Sequence, residues 1–278
     1  MNEDRTLADD LETLGVRAGA TLLVHASLRR VGTGADTVLG ALLDVLGPDG
    51  TLVVPAFTAS NSDTSPAYRE STRGLTGHQI LDYHASMPPF DPLRTPSHGM
   101  GQLAEAVRCR PGAVRSAHPQ TSFAAVGSQA AELLAGHDEE CHLGERSPLG
   151  RLYAAGAQVL LVGVGYEVCS TFHLAEYRVE DAPRREYRCV VLRHGERHWL
   201  SYTDVDLDDS DFGALGAAFE SHDATLLAPS VRRGELGLAA TRLLPMKAAV
   251  DFAGAWLAEN RRPCRAARQS QNAADFLH

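Results

Sequence analysis

The run Cys169-Ser170-Thr171-Phe172-His173-Leu174-Ala175-Glu176 gathers a thiol, two hydroxyls, an imidazole and a carboxyl into one short stretch. His173 and Glu176 are three apart, so on a helix they share a face. A carboxylate beside an imidazole fixes its tautomer and stabilises the imidazolium formed on proton uptake, which makes the pair a general-base dyad. The same spacing suits a salt link at a helix end, and spacing alone leaves both readings open. Cys169 or Ser170 with His173 would make a nucleophile pair. As a small residue at a strand end, Cys169 would only pack. Thr171 and the amides at the helix start are donors at a positive dipole end, suited to an oxyanion.

Three further clusters carry polar chemistry. His25-Ala26-Ser27-Leu28-Arg29-Arg30 offers backbone N–H groups, a hydroxyl and two guanidinium groups to an anionic ligand. It has neither the Gly-rich Walker spacing nor a GxGxxG pattern. Arg115-Ser116-Ala117-His118-Pro119-Gln120-Thr121-Ser122-Phe123 brings a histidine, hydroxyls and an aromatic into one loop-to-strand passage, with His118 extended before Pro119. His137, Cys141 and His142 share one acidic loop. His194 and His198 flank Gly195 and read as a solvated turn, and with no CxxC or HExxH pattern no metal site is expected.

Elements must hold these groups in place. Asp4 to Leu14 reads as an amphipathic helix ended by Gly15. Thr21 to Val24 and Thr51 to Val54 are continuous apolar strands around a helix over 37–46, a βαβ unit expected to be right-handed. Such strands fit a sheet covered on both faces. Residues 58–96 are rich in Ser, Thr, Pro and Asp, and read as an irregular inserted lobe on the substrate side. Helices are expected over 99–107, 129–134, from Ser147-Pro148, around Phe172–Tyr177, over 211–220 and over 246–260. Strands are expected over 121–126 and 158–162, and a hairpin from Arg188–Leu192 and Arg197–Tyr202 around the turn at 194–196. The expected fold is α/β, a central mostly parallel sheet flanked by helices, with the inserted lobe and a β-hairpin in the C-terminal half. Residues 1–260 form a single domain and 261–278 a polar tail. The third strand ends just before Cys169, and ligands of open α/β sheets bind beyond the carboxyl ends of strands.

The 278 residues are 44% hydrophobic and 22% charged, ordinary for a globular chain. No apolar run reaches the length of a spanning helix, and the acidic, polar start MNEDRTLADD does not read as a secretory signal, so cytoplasmic residence without membrane association is expected. With 26 Lys and Arg against 35 Asp and Glu, the net charge of −9 argues against nucleic-acid binding and favours cationic partners. The five cysteines read as reduced thiols.

The motifs together resemble the aminoglycoside 3-N-acetyltransferase family. Leu22-Leu23-Val24-His25-Ala26-Ser27-Leu28 and Gly50-Thr51-Leu52-Val53-Val54-Pro55 resemble its start. Phe90-Asp91-Pro92, Thr95-Pro96-Ser97, Met100-Gly101, Arg115 to Pro119 and Ser122 to Gly127 resemble its middle. Ser147-Pro148-Leu149, Leu160 to Gly165 and Thr171 to Tyr177 resemble its last strong block. The order runs from about residue 10 to 180, and more loosely to about 250. The resemblance implies acetyl-CoA as cosubstrate and the 3-amino group of a 2-deoxystreptamine aminoglycoside as acceptor, giving antibiotic resistance; the sequence leaves monomer and homodimer both open. It places the catalytic histidine and its carboxylate on His173 and Glu176, and the hydroxyl near the thioester on Thr171. It places the coenzyme turn on Ser27, Leu28 and Arg29, with further contacts from Ser122 and Phe123. Ala26 departs from the pattern, where relatives often carry a second hydroxyl. For the acceptor's amines, Asp63, Glu70 and Glu220 are candidates by charge and location. A Cys/Ser-His hydrolase, a non-catalytic aminoglycoside-binding module, or transfer to a non-antibiotic amine are the rival readings.

Overall fold

Each strand in the middle of the sheet alternates apolar side chains to two faces, and both faces are covered. The computed structural model describes residues 6–261. In chain order these are α1 (Leu7–Leu14), β1 (Thr21–Ala26), α2 (Leu28–Val31), α3 (Ala35–Leu46), β2 (Thr51–Pro55), α4 (Pro66–Ser71), α5 (Gly77–Ser86) and α6 (Gly101–Arg108). Then follow β3 (Val114–Arg115), β4 (Phe123–Gly127), α7 (Ala130–Leu134), α8 (Pro148–Ala154), β5 (Gln158–Val162), a 3₁₀ turn (Tyr166–Val168) and α9 (Thr171–Glu176). The remainder is β6 (Arg184–Arg193), β7 (Glu196–Val205), α10 (Phe212–Asp223), β8 (Arg232–Leu236), β9 (Ala239–Pro245) and α11 (Met246–Asn260).

The main sheet has the order β3-β4-β2-β1-β5-β9-β8. Its centre, β2-β1-β5, is parallel, whereas β4 and β9 run antiparallel to their neighbours on both sides. The mixed sheet therefore has β1, β2, β3, β5 and β8 pointing one way and only β4 and β9 the other. Along β1, Leu22 and Val24 join the core under α1, α3 and α6, while Leu23 joins the opposite core with Phe172, Leu174 and α11. The period of two then assigns His25 to the same face as Leu23, the face that carries α9.

Three departures from the sequence reading have plain causes. The 58–96 lobe holds α4 and α5, capped by Ser65 and Thr76. Neither helix buries a residue completely, so no apolar stripe announced them. The strands β8 and β9 are absent from the expected set: β8, Arg-Arg-Gly-Glu-Leu, is a charged edge strand of the kind that discourages further pairing. The two-residue β3 is too short to carry a pattern. The hairpin of β6 and β7 forms its own two-stranded sheet. The lobe is tied to it through the Phe90 amide on the Val190 carbonyl at 3.0 Å and the Val190 amide on the Asn61 carbonyl at 2.7 Å. The first helix begins at Leu7, with Thr6 as its capping residue; positions 4 and 5 of the expected helix, and the tail beyond Arg261, lie outside the described residues. No helix among the described residues is long and apolar enough to cross a membrane.

Candidate active site

The parallel strands β1, β2 and β5 end at one edge, and a cleft of about 1030 Å³ opens there. One wall is the turn into α2 with Ser27, Leu28 and Arg29. A second is the start of α6 around Met100 and Gly101. The third runs from Val164 through Val168 and Ser170 to His173, with Asp209 and Phe212 beside it. This third wall needs close backbone approach: a Cβ on Gly216 of α10 would lie 2.0 Å from the Tyr166 ring, so only glycine lets α10 pack on the 3₁₀ turn there.

The helix α9 has only six residues and would not persist alone. Phe172, Leu174 and Ala175 are wholly buried against α11 and the sheet. Burial of a Phe or Leu side chain contributes about 1.5–3 kcal/mol, enough to fix one turn rigidly. The opposite face then presents His173 and Glu176. His173 Nδ1 lies 2.6 Å from Glu176 Oε2, and the carboxylate is 4% exposed. The other oxygen, Oε1, accepts from the Asp208 amide at 3.1 Å and from the Arg261 guanidinium. With Nδ1 committed as donor to a carboxylate, Nε2 is the nitrogen left to accept a proton on the cleft side.

A second imidazole stands close by. His25, at the end of β1, is buried, and its Nε2 is 3.3 Å from Ser170 Oγ. Burial, helped by the neighbouring His173, pushes the His25 imidazolium down to about 4, so this ring stays neutral at physiological pH. Spacing gave no hint of the pair, because His25 and Ser170 are brought together only by the pairing of β1 with β5.

Other expected site residues divide by location. Ser27, Leu28 and Arg29 line the cleft; the Ser27 side chain makes no cap hydrogen bond. Thr171 is fully buried beside the Cys169 thiol and is not on the cleft wall, whereas Ser170 is. Ser122 and Phe123 are also fully buried. The Ser122 hydroxyl donates to the Ala56 carbonyl at 2.8 Å and accepts from Arg115 Nε at 3.0 Å. Phe123 supports the cleft from beneath, edge-on to Phe57, which does line it. Asp63 lies buried in the lobe, 3.5 Å from Arg188 of β6, and Glu70 is an exposed partner of Arg73. Glu220 is tied to Tyr166, Arg233 and Arg242 and braces α10 against β8 and β9. The carboxylates on the cleft wall are instead Glu167 and Asp209. Glu167 sits in the three-residue 3₁₀ turn and Asp209 in the loop before α10, both too short for a period to mark a residue's direction.

Cys169 does not suit a thiolate nucleophile: it is wholly buried, and desolvation pushes its thiol up to about 12. His118, His137 and His142 are structural. His118 Nδ1 accepts the amides of Gln120 and Thr121 at 3.1 and 3.0 Å. His137 bonds the Ser116 hydroxyl and two carbonyls, and His142 Nδ1 is 2.9 Å from Asp204 Oδ2.

An α/β fold with an imidazole–carboxylate dyad at the carboxyl edge of its parallel strands, beside a cleft of about 1030 Å³, has the parts of an enzyme that moves a proton at a bound substrate. The family model for aminoglycoside 3-N-acetyltransferase matches residues 23–258, and the chain belongs to that family. Enzymes of this family use acetyl-CoA. The chain is 39% identical over 267 residues to aminoglycoside N(3)-acetyltransferase VII of Streptomyces paromomycinus, covering 91% of this chain and 90% of that protein. It is 35% identical over 261 residues to the SPbeta prophage-derived aminoglycoside N(3')-acetyltransferase-like protein YokD of Bacillus subtilis (strain 168), covering 92% of each. The crystal structure of YokD superposes with a TM-score of 0.84, covering 92% of this chain and 93% of that one. A structure described as AAC-IIIb binary with CoASH has a TM-score of 0.77 at 28% identity, covering 91% and 95%. AAC-VIa bound to sisomicin has a TM-score of 0.74 at 30% identity, covering 90% and 95%.

The donor set on the cleft wall fits acetyl-CoA. The α2 turn offers a hydroxyl without a capping role and Arg29, which has no carboxylate partner among the described residues, suited to the anionic end of the coenzyme. The apolar residues Val24, Leu28, Val54 and Leu103 line the same cleft and suit its uncharged arm.

Proposed function

We propose that this chain transfers an acetyl group from acetyl-CoA to the 3-amino group of a 2-deoxystreptamine aminoglycoside, with His173 as general base. The observation that carries the reading is the 2.6 Å contact between His173 Nδ1 and Glu176 Oε2 at the wall of the cleft. Acetyl-CoA supplies the activated acyl group and leaves as coenzyme A. Ser27, Leu28 and Arg29 hold it at the α2 turn. The solved relatives with CoASH and with sisomicin bound support the choice of both substrates.

An aminoglycoside enters polycationic, and a protonated amine is no nucleophile. Glu167 and Asp209 attract it electrostatically, supported by the −9 net charge. His173 Nε2 accepts the proton released as the amine becomes nucleophilic, and Glu176 stabilises the resulting imidazolium. Ser170, on the cleft wall and hydrogen-bonded to a neutral His25, is placed to donate to the carbonyl oxygen that gains charge. Thr171, the first residue of α9, is wholly buried and faces away from the cleft.

The test couples aminoglycoside addition to thiol release. His173→Ala loses about 10²–10⁴ in turnover while acetyl-CoA binding, read by calorimetry, persists. Full turnover in that variant removes His173 from the role. Thiol release with simple amines, and none with an aminoglycoside panel, would assign a different acceptor.

A further inference from the structure

The dyad carboxylate has a partner that lies outside both the sequence motif and the matched family region. Arg261 follows α11, past the end of the match at residue 258. Its Nη1 donates to Glu176 Oε1. Its other face forks onto the Asp211 carboxylate, with Nε 2.7 Å from Oδ2 and Nη2 on Oδ1. Nη2 also donates to the Asp208 carbonyl. The guanidinium lies 5.8 Å from the centroid of Phe212, whose ring packs 4.7 Å from that of His173. One side chain thus joins the end of α9, the start of α10 and the end of α11. A bidentate pairing of this kind is oriented as well as charged, unlike a point contact from lysine.

We propose that Arg261 is a positioning residue for acetyl transfer: it pins one oxygen of Glu176 so that the other meets His173, and its charge sets the pH at which the dyad can accept a proton. The inference rests on the general-base reading of His173 above.

The two consequences follow from the geometry. A carboxylate held only by His173 could rotate about its last torsion; held at Oε1 by Arg261 and the Asp208 amide, it cannot turn Oε2 away. A buried carboxylate facing the imidazole alone would also favour imidazolium strongly, and a base already protonated is no base. The guanidinium on the far oxygen offsets that field. The charged and titratable groups facing the pair are few. The loop before α10 supplies Asp208, Asp209 and Asp211, the end of α11 supplies Arg261, β1 supplies His25, which burial keeps neutral, and the loop before α8 supplies His142, which burial pushes down and which is paired with Asp204. Asp208 is itself committed to Ser210, and Asp211 partly neutralises Arg261. Removing Arg261 or Asp211 therefore pushes the dyad in opposite directions.

The full-length protein is assayed for thiol release with acetyl-CoA and one aminoglycoside, as kcat/KM against pH, for wild type, Arg261→Met, Arg261→Lys and Asp211→Asn. The acceptor's own amines titrate identically in all four. Arg261→Met is expected to move the acidic limb up by roughly one pH unit and to lower the plateau about tenfold or more. Arg261→Lys keeps the limb near wild type and recovers only part of the plateau. Asp211→Asn moves the limb down. Limbs that stay in place in both Arg261→Met and Asp211→Asn, whatever the plateau, overturn the proposal. Where a collapsed thermal midpoint shows that Arg261→Met has failed to fold, Asp211→Asn decides by itself, and an unmoved limb overturns the proposal. His173→Ala in parallel separates the two readings. Its retained turnover overturns the dyad reading and this proposal with it; its inactivity beside unmoved limbs overturns only the role of Arg261.

Discussion

Mild acid should destabilise this protein steeply, well above the pH at which its carboxylates titrate. His25 and His137 are buried, and desolvation brings each imidazolium from 6.5 down to about 4. His118 is likewise held well below its ordinary value, by burial first and then by its neighbours His142 and His137; its Nδ1 also faces two amide N–H donors and cannot take a proton without losing both. Between pH 6.5 and 4 the unfolded chain binds protons at these rings and the folded chain does not, so stability is complete above pH 6.5 and falls as pH drops. From pH 7 to pH 5 each of His25 and His137 removes about 2 kcal/mol, about 4 kcal/mol together before His118 is added. Domains of this kind are stable by roughly 5–15 kcal/mol, so the loss is a large share of the total. Glu105, held near 2 by its hydrogen bonds to Arg108 and Ser97 despite partial burial, acts only below about pH 4.5 and leaves this window clean. The assay is urea unfolding at pH 7.5, 6.5, 5.5 and 5. His118→Asn retains an acceptor for the two amides and removes the titrating group, so its curve should fall less steeply with acid, whatever fixed offset the smaller side chain adds. A wild-type stability unchanged between pH 7 and 5 would refute the burial reasoning for all three rings.

Three further outcomes follow from the site. Glu176→Gln keeps the shape and removes the charge that stabilises the imidazolium, and should cost roughly 10²-fold in kcat with little change in the KM for acetyl-CoA, measured by steady-state thiol release. Ser170→Ala should lower kcat by about 10²-fold if its hydroxyl meets the developing oxyanion, whereas Thr171→Val, buried away from the cleft, should change the thermal midpoint more than kcat; the reverse pattern would return that role to Thr171. Arg29→Ala should raise the KM for acetyl-CoA about tenfold at low salt, and the difference from wild type should shrink at high salt, because the contact is on an open wall of the cleft.

Much of this protein is legible in its sequence because the relevant physics is local. The apolar runs at 21–24, 51–54 and 158–162 had to be strands covered on both faces, and their chain order with an intervening helix made them parallel. The dyad is likewise local: two residues three apart on one turn of helix can meet only on one face, and the motifs around them mark the family. Cys169, Thr171, Ser122 and Phe123 were also readable as residue types, but whether each faces the cleft or the core depends on what packs over it, α11 on α9 and Ala56 and Arg115 beside Ser122, which no spacing encodes. The acidic groups show the limit most clearly. Glu220 carries the same charge as Glu167, yet one is consumed by Arg233 and Arg242 from a hairpin added at the sheet edge and the other faces the cleft. Tertiary structure alone also decided the partnership of His25 with Ser170, and it turned Arg261 from the first residue of a polar tail into a clasp on the Glu176 carboxylate. The physical reason is common to these cases: a helix or strand follows from its own residues, whereas a charge acquires its role from whichever distant partner the fold brings within hydrogen-bonding reach.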